Sequence, residues 1–173
     1  MIIAVSNRLR IEKVTTEDGS FFFTLMNSPQ WIRFIGDRNI TSEEVARVYI
    51  QQHVIDSYEK NGYGLYKMIL VTSEEPIGLC GFIKRDYLDY ADVGFAILPK
   101  YEGKGYTFEA LEAVMKYGKE TLKLNPMLAI TTEDNARSRY LLNKIGLSAK
   151  GRIKPPGKEE ELILFSDEDG SQE

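Results

Sequence analysis

A chain with one cysteine, Cys80, closes no internal disulfide and builds no cysteine-cluster metal centre. Its one histidine, His53, excludes a histidine-based catalytic triad and a histidine-rich metal site, and its helical setting marks it as a solvated or packed side chain. No metal is therefore expected. No apolar run approaches the ~20 residues that a membrane-crossing helix needs, so no membrane partner is expected either. Positive charge is not in excess: 22 Lys and Arg against 26 Asp and Glu leave a formal net charge of -4. That balance argues against nucleic acid as a partner, because phosphate binding needs clustered Lys and Arg. The apolar start MIIAV lacks a basic leader and a small-residue cleavage site, so it reads as a strand and the expected location is cytoplasmic. Repeats and low-complexity segments are missing as well.

What is present describes an ordinary globular chain, 43% hydrophobic and 28% charged over 173 residues, enough for one core. A single domain over 1–166 is expected, followed by an acidic, apolar-poor tail at 167–173 that should be disordered. Asn7 to Thr15 alternates Leu9 and Ile11 with Arg8, Arg10 and Glu12, the period of a half-buried strand. Thr16-Glu17-Asp18 offers a cap for a helix carrying Phe22, Leu25 and Met26 that Ser28-Pro29 stops. Thr41 to Glu44 has the pattern of a capping box, opening a second helix that runs to Asn61-Gly62. Leu65 to Thr72, Ile77 to Lys84 and Val93 to Leu98 read as an antiparallel meander. Then come a helix from Gly103 to Leu122, a strand at Met127 to Thr131, a helix from Asn135 to Lys144 and a strand at Leu162 to Phe165. The order is βααβββαβαβ, with room for one more strand, and the class is α+β (α/β).

Chemistry concentrates in Val93 to Ala110, VGFAILPKYEGKGYTFEA. A strand runs into a turn containing Gly103 and Gly105 and then into a helix, which gathers free backbone N–H groups at one point. Glycine lets an anion approach the backbone, and the helix dipole and Lys104 add favourable charge, so the turn suits a phosphate. A dinucleotide-binding βαβ unit does not account for it: three antiparallel strands precede the turn, and Phe108 occupies the place of the third glycine. The G-x-x-x-x-G-K-[ST] phosphate loop is absent.

Lys100-x-x-Gly103-x-Gly105, followed by Tyr106 and Glu109-Ala110, resembles the pyrophosphate loop of the Gcn5-related N-acetyltransferases (GNAT), with Lys100 departing from the usual Gln or Arg. Asn135-Ala136-Arg137-Ser138 with Leu141-Leu142-x-Lys144-Ile145-Gly146-Leu147 is similar to a second motif of that family. Asn7 to Arg10, Asn27 to Arg38 and Pro76 to Phe82 extend the likeness toward the ribosomal-protein N-terminal acetyltransferase branch. The resemblance implies a mostly antiparallel sheet of six or seven strands, splayed between strands 4 and 5 and flanked by four helices. It also implies acetyl-coenzyme A as acyl donor and an amine acceptor of unspecified identity. The assembly state is left between monomer and homodimer.

By the same resemblance the pantetheine arm would lie along Phe95, Ala96, Ile97 and Leu98, the pyrophosphate on Gly103, Lys104, Gly105, Tyr106 and Thr107, and Asn135 would reach the arm. Direct transfer needs a neutral amine, yet a lysine-type ammonium has a pKa of roughly 10.4, so a proton acceptor is required. Asp92 is the first candidate, with Asp89 and Asp86 behind it. Phe95 or Ala96 N–H would polarise the carbonyl under attack. The tyrosine that many relatives place seven residues after the motif asparagine is Leu142 here, and Ser138 occupies the position linked to the departing thiolate. Trp31, Phe34 and Ile35 would line the acceptor pocket. An acyl-coenzyme A-binding module that senses or scaffolds without turnover is the alternative.

Overall fold

Leu9 and Ile11 are fully buried while Arg10 and Glu12 stay half-buried on the other face, so the N-terminal alternation forms a strand, β2 (Leu9–Lys13). The structure, a computed structural model, describes residues 1–168. Ahead of β2, Ser6-Asn7-Arg8 turns the chain back and Ile2–Val5 forms β1, its antiparallel partner. The meander follows as β3 (Leu65–Leu70), β4 (Glu75–Ile83) and β5 (Asp92–Ile97), and the sheet continues through β6 (Leu128–Thr131), β7 (Ser148–Ile153) and β8 (Leu162–Ser166). Its order is β1-β2-β3-β4-β5-β6-β8-β7, with β5 and β6 the parallel pair.

Among the described residues the sheet has eight strands, where six or seven were expected. The turn at Ser6 to Arg8 splits the N-terminal segment in two. β7 carries no apolar alternation, since every residue of it but Ile153 is exposed.

The helical layer also departs from four elements. Thr15, not Thr16, caps the first turn, and its N–H donates to Asp18, closing the box. Pro29 ends α1 (Gly19–Met26) but starts α2 (Pro29–Phe34), because a first helical position needs no N–H and suits proline's fixed φ. Ser42, one residue after Thr41, accepts Val45 N–H and caps α3 (Glu43–Tyr49). The helix widens into a π segment over Ile50–Ile55, continues as α4 (Asp56–Asn61), and stops at Gly62 with φ 79°. α5 (Tyr106–Glu120) and α6 (Ala136–Lys144) follow the two glycine and asparagine motifs.

Ala110, Leu111 and Val114 press α5 into one core cluster with Tyr66, Met68, Cys80 and Phe82. Phe22, Leu25, Ile50 and Val54 gather the N-terminal helices around Leu79. Cys80 and Leu79 point into different clusters, as alternate strand residues must, so β4 is the wall between them. Burial pushes the Cys80 thiol far up, leaving it an inert apolar side chain. Asp167, at the start of the expected tail, is ordered: Oδ1 accepts Met127 N–H at 2.7 Å, with Lys119 Nζ 3.5 Å from Oδ2. Residues 169–173 lie outside the described residues.

Candidate active site

β5 and β6 touch at one register pair, Asp92 with Leu128, supported by Leu128 N–H to Ala91 C=O at 2.9 Å. Beyond that pair the strands part, and Val93 to Ile97 find ladder partners only on β4. The parting opens a cavity of about 1150 Å³. That exceeds the roughly 300–1,000 Å³ of an ordinary small-molecule pocket and leaves space for two ligands together. Val93 to Ile97 form one wall, Ile130 to Thr132 and Asn135 to Ser138 another, and Trp31, Phe34, Ile35 and His53 close it from the helical layer.

Of the residues singled out from the sequence, Asp92, Phe95, Ala96, Ile97, Asn135, Ser138, Trp31, Phe34 and Ile35 all line this cavity. Leu98 does not; it packs against both core clusters. Gly103, Lys104, Gly105, Tyr106 and Thr107 are not in the lining but continue directly from Glu102, which is. Trp31 is also a core residue, 5% exposed, whereas Ile35 is 37% exposed.

Asp92 sits where the two strands part and is 2% exposed. Its Oδ2 accepts Arg85 Nε–H at 2.7 Å and its Oδ1 has no partner. Burial pushes the carboxyl from 3.8 up to about 6, against the opposing pull of the Arg85 guanidinium. A carboxylate so tuned is ionised at neutral pH yet basic enough to take a proton. Asp86 and Asp89 are exposed and lie outside the cavity lining. Trp31 Nε1 and Thr132 Oγ1 are likewise buried without partners, and both residues line the cavity. Orphaned polar atoms around one space call for a ligand that satisfies them.

The glycine turn adopts left-handed backbone at Gly103 (φ 75°) and Gly105 (φ 80°), and a Cβ on Gly103 would meet nothing within 4 Å, so conformation and not crowding demands glycine there. No side chain caps α5, and its first backbone bond is Glu109 N–H to Gly105 C=O. The amides of Tyr106 to Phe108 therefore lack partners in the chain and add to the positive end of the helix dipole.

Asn135 caps α6: its Oδ1 accepts Ser138 N–H at 3.1 Å, which leaves the side-chain NH₂ free to donate. Ser138 is 9% exposed, and Leu142, where a tyrosine was sought, is buried against the core. Tyr140 is 64% exposed and turned toward Lys144, not into the cavity. Sequence reasoning missed Arg85, Thr132 and the Glu102–Arg137 ion pair at 3.0 Å, which ties the turn before α5 to the start of α6. These groups are brought together by the parted strands, and no spacing in the sequence signals them. Among the described residues no three His, Cys, Asp or Glu side chains gather as a metal site.

The family model for the Acetyltransferase (GNAT) domain matches residues 8–148. The chain is 28% identical to the uncharacterized N-acetyltransferase YoaA of Bacillus subtilis (strain 168), over 88% of this chain and 86% of that protein. It is 31% identical to the ribosomal protein uS5-alanine N-acetyltransferase of Escherichia coli (strain K12), over 58% of this chain and 54% of that one. In three dimensions it is similar to the acetyltransferase (GNAT family) from Bacillus anthracis, with a TM-score of 0.78 and 24% identity across 96% of this chain and 97% of the other.

Proposed function

The chain belongs to the GNAT acetyltransferase family and uses acetyl-coenzyme A, and from that premise we propose direct transfer of the acetyl group to a primary amine within a ternary complex. The acceptor is a protein or peptide N-terminus or a small-molecule amine, and the likeness to the uS5-alanine enzyme favours the N-terminus. The site of action is the cytoplasm. One observation carries the reading: a strand edge freed of its neighbour leads from a buried carboxylate to the uncapped N-terminus of α5.

The residues fit the donor substrate along its length. Amides of Gly103 to Thr107 suit a diphosphate, and the open edge of β5 suits an amide-rich arm pairing as an added strand. The Asn135 side-chain NH₂ is placed to donate to that arm. Bound there, acetyl-coenzyme A supplies an activated acyl group.

Asp92 accepts a proton from the acceptor ammonium, directly or through one water, while Arg85 holds the other carboxylate oxygen. Phe95 N–H, on the edge turned away from β4, stabilises charge developing on the carbonyl oxygen, whereas Ala96 N–H faces β4 and is not available; Ser138 donates toward the departing sulfur. Trp31, Phe34 and Ile35 form the acceptor side, where the orphaned Trp31 N–H asks for an oxygen acceptor. The test follows thiol release from acetyl-coenzyme A with free-N-terminus peptides, polyamines and amino-sugar amines. Turnover with one class assigns the acceptor, and acetyl-coenzyme A binding without turnover on any amine would leave only a sensing or scaffolding role.

A further inference from the structure

The glycine turn is held from the opposite end of the chain. Arg8, in the hairpin turn between β1 and β2, donates Nε–H to Glu109 Oε1 at 3.1 Å and Nη1–H to Lys104 C=O at 3.0 Å. Its guanidinium carbon lies 4.4 Å from the centre of the Tyr106 ring, and Nη2 is 3.5 Å from where a Gly105 Cβ would stand. Glu109, in the first turn of α5, also accepts the Arg8 backbone N–H at 3.1 Å and the Ser6 hydroxyl at 2.9 Å. Burial raises the Glu109 carboxyl, but Ser6 and Arg8 outweigh it and hold the group below the usual carboxylate range.

Left-handed Gly103 and Gly105, on either side of Lys104, give the turn backbone freedom that is lost on ordering, and a turn with one carbonyl and its helix start tied to one planar guanidinium is pre-organised. The fork geometry matters more than the charge, because Nε and Nη1 reach two acceptors on different segments at once. We propose that Arg8, acting through Glu109 and the Lys104 carbonyl, is a positioning residue that keeps the Gly103–Thr107 turn in the shape that receives the diphosphate of acetyl-coenzyme A. The proposal rests on the assignment of that turn to the diphosphate.

The experiment compares two donors, acetyl-coenzyme A and S-acetylpantetheine, which carries the thioester but no diphosphate. For Arg8→Met the apparent affinity for acetyl-coenzyme A falls about tenfold, as loss of charge-assisted bonds implies, while kcat/KM with S-acetylpantetheine stays within about twofold. Arg8→Lys keeps the charge and loses the fork, and is equally weak. Glu109→Gln separates positioning from simple attraction. If Arg8 merely attracts phosphate, removing the neighbouring negative charge tightens binding; if it positions the turn, binding weakens, and the double variant is no worse than the weaker single one. Unchanged acetyl-coenzyme A affinity in Arg8→Met, or equal losses with both donors, overturns the proposal. A wild-type protein that binds both donors equally well removes the turn from the diphosphate site and takes this inference with it.

Discussion

Asparagine at position 92 preserves the side-chain shape and an oxygen for Arg85 Nε–H, and removes the proton acceptor together with the charge paired to Arg85. With its carboxyl at about 6, Asp92 is roughly ten-to-one ionised at pH 7, so the native base is ready. An α-amine with a pKa of about 8 is itself about one-tenth neutral at that pH, whereas a lysine-type amine is neutral in roughly one molecule of 2,500. General bases contribute about 10²–10⁴-fold, so Asp92→Asn should lose near 10²-fold with an N-terminal acceptor and closer to 10⁴-fold with a lysine-type amine. The assay is thiol release between pH 5 and 9. The wild-type rate climbs through a limb near pH 6; the variant lacks that limb and rises only with ionisation of the acceptor. Folding carries its own sign. A carboxyl raised from 3.8 to about 6 contributes stability that is complete below pH 3.8 and lost as pH rises through 6, about 3 kcal/mol in all. Wild-type urea midpoints should therefore fall across that window, and the asparagine variant should lack this part of the slope. Wild-type kinetics with the pH 6 limb intact in Asp92→Asn would refute the assignment.

Gly105→Val places a β-branched residue at φ 80°, a strain of about 1–3 kcal/mol, so acetyl-coenzyme A affinity should fall at least tenfold while circular dichroism shows the fold retained. Arg85→Met removes the cation that pulls the Asp92 carboxyl down, so the rate limb should move above 6 and activity lost at pH 7 should return in alkali, as a pH-rate profile will show. Gly118→Ala would ordinarily gain about 1 kcal/mol of helix propensity, but its Cβ would stand 2.6 Å from Phe82 Cζ. Overpacking costing about 1–3 kcal/mol should win, and chemical denaturation should report a net loss.

Where side chains repeat at the period of their element, the sequence was easy to read. Leu9 and Ile11 marked β2, and Leu111, Val114 and Met115 marked the buried stripe of α5. β7 was illegible because both its faces meet solvent, and the π segment because widening a helix by one residue per turn leaves its apolar spacing nearly helical. The glycine turn and Asn135 were visible as local motifs whose backbone demands are written in residue type. Arg85 was not, because its value lies in meeting a buried carboxylate across a polar turn, and the same is true of Arg8 and Glu109, about a hundred residues apart. Leu142 shows the converse: the sequence marked a missing tyrosine, and the structure finds core packing there.

The central claim is that uncapped amides at the start of α5 hold the diphosphate of acetyl-coenzyme A. Backbone ¹H–¹⁵N spectra recorded during titration with coenzyme A test it residue by residue. The account predicts large shifts and slowed hydrogen exchange at Gly103, Gly105, Tyr106 and Thr107, saturating together with Val93 to Ile97. Saturable binding that leaves those four amides unmoved would contradict it.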